Sequence, residues 1–202
     1  MDMTSRETQE AYSDVAGRYI DQLGSIDSVD EADRLFIAEG FNGVTNSILD
    51  VGCGPGHLTA YLNSLGHQAA GIDLVPQFVN HARRAYPGIE YSVIDIESFE
   101  GDVESAGGVL AWYSLIHMTP EDMLTTLETL SRILVPEGVL VYGGFLADSR
   151  KLFAHKVFPA TAYSEDDITS LIEYAGFRVS RVETRPATAQ KRAHIAVTAV
   201  RA

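Results

Sequence analysis

The chain has 202 residues, enough for one domain with a single well-buried core. Its 15 Lys and Arg against 28 Asp and Glu give a formal charge of −13. That balance disfavours ligands bound by neutralising phosphate, so neither nucleic acid nor an anionic lipid surface is expected as a partner. The only cysteine is Cys53, which excludes an internal disulfide and suits a reducing cytoplasm; Met1 to Glu10 lacks the apolar stretch of a leader, and no apolar run reaches the length of a membrane span.

Between Thr4 and Leu23 the residues Ala11, Tyr12, Val15, Ala16, Tyr19, Ile20 and Leu23 keep one helix face apolar. Asp27 or Ser28 is placed to cap a second helix through Leu35 and Phe36 to about Gly40. Ile48-Leu49-Asp50-Val51 reads as a buried parallel strand, and Gly52-Cys53-Gly54-Pro55-Gly56 as a tight turn into a helix from His57 to about Leu65, closed by Gly66. Glycines at 52 and 54 imply that the backbone is approached closely, and a helix start adds unpaired N–H groups, so a polar or anionic ligand group belongs there. The spacing departs from the dinucleotide pattern G-x-G-x-x-G: the third glycine comes one place early, at Gly56, and His57 stands where glycine would. Cys53 reads as a small apolar filler of the turn.

Gln68 to Ile72 reads as a second strand with Asp73 at its carboxyl end, 21 positions after Gly52, where an acid accepts hydrogen bonds from ribose hydroxyls. Pro76 opens a helix carrying Phe78, Val79 and Ala82 inward, broken at Tyr86-Pro87-Gly88. Ile89 to Ile94 forms a third strand ending at Asp95-Ile96, and Gly108 to Trp112 a fourth. The segment Trp112-Tyr113-Ser114-Leu115-Ile116-His117 then lies outside the carboxyl ends of the strands, the place where open α/β sheets bind ligands. A neutral His117 can take a proton from a hydroxyl or amine near pH 7; contact with a cofactor and capping of the next helix are the other readings of its position. Thr119-Pro120-Glu121-Asp122 starts a helix that buries Met123, Leu127, Leu130 and Leu134, and Pro136-Glu137-Gly138 turns into a fifth strand, Val139 to Tyr142. Phe145 to Tyr163 has no regular pattern. Ser164 to Asp167 opens a last helix closed by Gly176, and Phe177 to Thr184 and His194 to Val200 alternate as two strands.

Asp50-Val51-Gly52-Cys53-Gly54-Pro55-Gly56 followed by Gly71-Ile72-Asp73 resembles motifs I and II of class I S-adenosylmethionine-dependent methyltransferases. The likeness runs from about Tyr12 to the C-terminus. Tyr12-Ser13-Asp14-Val15-Ala16-Gly17-Arg18-Tyr19 is similar to the family's Y-D-x-x-A-x-x-Y lid segment, with Ser13 for the usual Asp, and Leu134-Val135-Pro136-Glu137-Gly138 to its L-x-P-G-G, with Glu137 for one glycine. The resemblance implies an α/β fold: a Rossmann-like, seven-stranded, mostly parallel sheet with helices on both faces and a C-terminal antiparallel hairpin. Residues 1–45 would form a helical lid and 46–202 the core of the same single domain.

The same resemblance implies S-adenosylmethionine as cofactor and a small-molecule acceptor, methylated on oxygen or nitrogen and with less support on carbon. Implied cofactor contacts fall on Tyr12, Tyr19, Asp50, Gly52, Cys53, Gly54, His57, Leu58, Asp73, Leu74, Asp95, Ile96, Trp112 and Tyr113. Asp95 would meet the adenine amino group, with Glu97 as its substitute and a plain turn cap as its other reading; Tyr12 and Tyr19 serve equally well as packing residues. His117 is the catalytic candidate, and no metal is implied. Arg150, His155, Lys156 and Tyr163 are candidates for touching the acceptor. The signatures of amino-group DNA methyltransferases and of C5-cytosine enzymes after the fourth strand are missing. Two alternatives stand beside this reading: an NAD-dependent oxidoreductase on a Rossmann fold, and a cofactor-binding protein without catalysis. Nothing in the sequence speaks to oligomeric state.

Overall fold

Strands and helices alternate through residues 5–202, the part of the chain that the computed structural model describes. Two helices, α1 (Ser5–Leu23) and α2 (Glu31–Gly40), precede β1 (Ile48–Val51); then come α3 (His57–Ser64), β2 (Ala69–Asp73), α4 (Pro76–Ala85), β3 (Tyr91–Val93), β4 (Ala106–Trp112), α5 (Pro120–Ile133) and β5 (Leu134–Leu146). A short hairpin, β6 (Lys151–Phe153) and β7 (Ala160–Tyr163), leads to α6 (Glu165–Tyr174), β8 (Phe177–Arg185) and β9 (His194–Arg201).

The sheet runs β3-β2-β1-β4-β5-β9-β8, with β1 to β5 parallel and β9 antiparallel to both neighbours. The expected seven strands and terminal hairpin are present, but the sheet has nine strands, because β7 pairs with the end of β5 and β6 with β7. Alternation along β4 divides the core: Val109 and Ala111 face Met123, Leu127 and Leu130 of α5 and Ile168 and Ile172 of α6, while Leu110 faces Phe36 and Ile37 of α2 and Leu58 and Leu62 of α3. The α5 residues Met123, Leu127 and Leu130 are fully buried, each worth about 1.5–3 kcal/mol relative to exposure. Thr119 caps α5 by accepting from the Asp122 N–H, and Ser164 caps α6 through Asp167.

Four expectations need correction. The turn after α1 is a 3₁₀ segment capped by Ser25, and Asp30 rather than Asp27 or Ser28 precedes α2; the Ser28 hydroxyl donates instead to the Leu23 and Ser25 carbonyls. Strand β3 is only three residues long, at the sheet edge. Strand β5 is far longer than expected: it takes in Leu134, read from sequence as part of the helix stripe and here paired with Ala106 of β4, and its last residues gain partners on both sides, from β9 and from β7. Finally, Phe145 to Tyr163 is not irregular: β7 pairs in parallel with Phe145 and Leu146, and its Thr161 N–H donates to the Ile116 carbonyl at 2.7 Å. Thr4, named in the expected first helix, lies outside the described residues.

Candidate functional site

A cleft opens at the carboxyl ends of β1, β2 and β4, where open α/β sheets bind ligands. One wall is α1, whose Ser5, Thr8, Tyr12 and Tyr19 face inward; the floor is Gly52 and Gly54; Asp95, Ile96 and Glu97 line one end and Trp112, Tyr113, Ser114 and His117 the other. The turn after β1 is anchored by Gly52 and Cys53, whose N–H groups both donate to the Ile72 carbonyl (2.8 and 3.0 Å).

Glycine at 52 has a cause inside the chain. Its φ is +68°, and a Cβ there would lie 2.3 Å from the Cβ of Ser114, so it lets β1 and the end of β4 close together rather than making room for a ligand. Gly54 differs: its φ is +53° and nothing lies within 4 Å of where its Cβ would be, leaving the open space of the cleft above it. Beside it stands Asp73, whose Oδ2 accepts from the Gly54 N–H and Oδ1 from the Val75 N–H, both at 2.8 Å. Each oxygen keeps a free lone pair, two in all, the number a vicinal diol would use. Burial pushes this carboxyl up to about 6, against the pull of those two N–H bonds.

Asp50 is placed otherwise than expected. It is 2% exposed, does not line the cleft, and accepts from the Thr59 hydroxyl at 2.6 Å, which ties β1 to α3. Burial raises it to about 7, opposed by Thr59 and helped by the nearby Asp73. Three more of the expected contacts also lie behind the cleft wall. The Cys53 side chain packs with Val79, Ala82 and Tyr91, its thiol pushed up by burial and so inert. Leu58 joins the core against Leu62 and Phe36. His57 opens α3 with Nδ1 buried and unpartnered, lowered by burial to about 4.

The remaining residues named from sequence meet in the cleft: Tyr12, Tyr19, Gly52, Gly54, Asp73, Leu74, Asp95, Ile96, Trp112, Tyr113 and His117. Asp95 also caps the 3₁₀ turn 96–98, accepting from the Glu97 N–H at 3.0 Å. The helix α1 is held over the cleft by Ala16 against Val75 and Phe78, by Gln9 Nε2 donating to the Leu74 carbonyl at 2.7 Å, and by the Tyr12 hydroxyl 2.8 Å from His117 Nε2. His117 Nδ1 lies 2.8 Å from the Pro159 carbonyl. A carbonyl only accepts, so Nδ1 carries the proton and Nε2 accepts from Tyr12. Burial lowers the imidazole to about 4, so it is neutral at pH 7 and a weak base, its free lone pair already occupied.

Sequence reasoning passed over two lining residues, Ser114, whose Oγ is buried without a partner, and Met118; only their place after β4 could have signalled them. Of the acceptor candidates, none of Arg150, His155, Lys156 and Tyr163 lines the cleft, although the His155 ring lies 5.5 Å from that of His117.

A family model described as a methyltransferase domain matches residues 48–138, which span β1, the glycine turn, Asp73 and the end of β4. Over these residues, just under half of the chain, the sequence matches a methyltransferase domain, which supports the resemblance to the class I S-adenosylmethionine-dependent superfamily. Among curated relatives, a malonyl-[acyl-carrier protein] O-methyltransferase of Enterobacter lignolyticus is 33% identical over 102 residues, half of this chain and 40% of the relative. An uncharacterised methyltransferase of Schizosaccharomyces pombe is 32% identical over 175 residues, 73% of this chain and 65% of that one. The chain thus spans under two thirds of either relative. A solved methyltransferase of the same fold, the 1,6-didemethyltoxoflavin-N1-methyltransferase of Burkholderia thailandensis with bound 1,6-didemethyltoxoflavin and S-adenosylhomocysteine, superposes with a TM-score of 0.77 at 21% identity. It covers 98% of this chain and 86% of its own.

Proposed function

We propose that this chain binds S-adenosylmethionine in the cleft and transfers its methyl group to an oxygen or nitrogen of a small molecule. The observation that carries the reading is Asp73. It is a carboxylate at the end of β2, fixed by two backbone N–H bonds yet keeping two lone pairs toward the space above Gly54. Asp95 and Ile96 at the far end would border the base, and Tyr12, Tyr19 and Ser114 the amino-acid tail. Asp73, Asp95 and Glu97, in a described lining that holds neither Lys nor Arg, favour a ligand that brings positive charge.

When bound, the cofactor supplies a methyl group already activated on a sulfonium. The protein's work is then to align and to exclude water. Helix α1 closes the cleft from above, and Tyr12 and Tyr19, 5.8 Å apart and packed on Phe78, fill its mouth. His117 in this reading orients Tyr12 instead of serving as a strong base, given its engaged Nε2 and its lowered pKa of about 4. We take residues 1–45 and 46–202 as lid and core of one domain, the cytoplasm as its compartment, and a small metabolite rather than nucleic acid as its partner, supported by the charge of −13. Isothermal titration tests the reading: S-adenosylhomocysteine is expected to bind and NADH not, and binding of NADH alone would favour the oxidoreductase. Cofactor binding with no turnover across an acceptor screen would favour a protein without catalysis.

A further inference from the structure

Tyr113 stands just past β4 with a left-handed backbone, φ 57°, which a residue with a Cβ adopts only when its surroundings hold it there. What holds it is a chain of polar groups from three elements. The Tyr113 hydroxyl lies 2.5 Å from Nδ1 of His194, at the start of β9. His194 is 5% exposed; its Nε2 has no hydrogen-bond partner and faces Oδ1 of Asp33, on α2, at 3.9 Å. Asp33 is in turn paired with the Arg185 guanidinium of β8. A ring nitrogen turned toward a carboxylate is favoured when it carries hydrogen, since two facing lone pairs repel. Nε2 is therefore the protonated nitrogen, Nδ1 is bare, and the Tyr113 proton points at His194, away from the cleft.

Only lone pairs of the Tyr113 oxygen are then left to offer a ligand. The same holds for Tyr12, whose proton is spent on His117 Nε2. Two tyrosines at the Trp112–His117 end of the cleft thus act as hydrogen-bond acceptors, in a cleft whose described lining contains Asp73, Asp95 and Glu97 and neither Lys nor Arg. A carboxylate brought there would meet lone pairs and like charge; a hydroxyl or an N–H would be matched.

We propose that Tyr113 contacts the methyl acceptor, held in place by His194 and Asp33 as positioning residues, and that the acceptor is a neutral O–H or N–H compound rather than a carboxylate. The proposal rests on the methyltransferase reading above. In protein with ¹⁵N-labelled histidine and S-adenosylhomocysteine added, long-range ¹H–¹⁵N spectra are expected to show His194 as the Nε2–H tautomer. Its Nδ1 resonance should move in Tyr113→Phe, which keeps the ring packing; an Nδ1–H tautomer, or an unmoved resonance, overturns the geometry. In a second arm, the protein receives S-adenosylmethionine with a tritiated methyl group and a metabolite extract. The label is expected in products that resist mild alkali, as methyl ethers and amines do, and label released by alkali, as from methyl esters, overturns the acceptor class. Tyr113→Phe should raise the acceptor KM about tenfold while S-adenosylhomocysteine affinity stays within about twofold. Absence of S-adenosylhomocysteine binding would sink the methyltransferase reading itself, with the tautomer still readable; binding without labelled product would overturn the acceptor assignment along with the enzymatic reading.

Discussion

Asp73 and Asp50 are both buried acids, but they answer to different tests. Asp73→Asn keeps the shape and one acceptor oxygen while removing the charge, so S-adenosylhomocysteine affinity is expected to fall about 10- to 100-fold, the worth of a hydrogen bond to a charged group, by titration calorimetry. Wild-type affinity should also rise between pH 5 and 8 as Asp73, lifted to about 6, ionises. Asp50 acts on stability. Its folded-state value, about 7, lies above the ordinary 3.8, so its contribution is present in full below about pH 4 and is lost as pH rises through 7. Asp50→Asn escapes that loss, and in the ligand-free protein it should gain on wild type from pH 5 to 8 by on the order of 2–4 kcal/mol. Parallel melting curves would contradict it. Glu137 presents a third case: it sits at φ 60° in the turn inside β5, where the family's segment has glycine, and its exposed ion pair with Arg178 at 3.7 Å offsets little. Glu137→Gly is expected to stabilise by about 0.5–1 kcal/mol, a rise of roughly 1–4 °C in Tm by calorimetry.

At the scale of elements, what could be read from sequence followed the strength of the local pattern. The glycine turn, the Thr119 and Ser164 caps and the buried stripe of α5 are decided within a few residues of one another, and they stand where the pattern put them. The hairpin β6–β7 was illegible because three and four residues are too few for a period, and Ala160-Thr161-Ala162 is ordered by bonds to β5 and Ile116, which are tertiary facts. The site divides the same way: residues on the turn and strand ends could be named, whereas Ser114's burial and the partners of His117 and Tyr113 come from segments dozens of positions away. Helix α1 depends on one such partner. Tyr12→Phe leaves His117 Nε2 buried and unpaired, so α1 amides should exchange hydrogen faster, by an opening free energy about 1–3 kcal/mol lower, with faster loss of S-adenosylhomocysteine. Unchanged exchange would mean that Ala16, Tyr19 and the Gln9 bond to the Leu74 carbonyl hold the helix down without it.

Over the whole molecule, a charge of −13 on 202 residues means self-repulsion, which salt relieves. Tm is expected to climb between about 10 and 200 mM NaCl, where the screening length falls from ~30 to under 10 Å, and a flat response would show that the local ion pairs already compensate. The position of β9 carries a different consequence. It pairs with β5 from Val139 to Phe145 on one side and with β8 on the other, and His194 to Ala199 are buried. As the ribosome releases the chain, everything that frames Asp73 is out long before β9, and until β9 arrives the flank of β5 stays open as a bare, apolar edge. Maturation thus waits on β9, and a nascent chain stalled or clipped before it would be left with that edge of β5 uncovered.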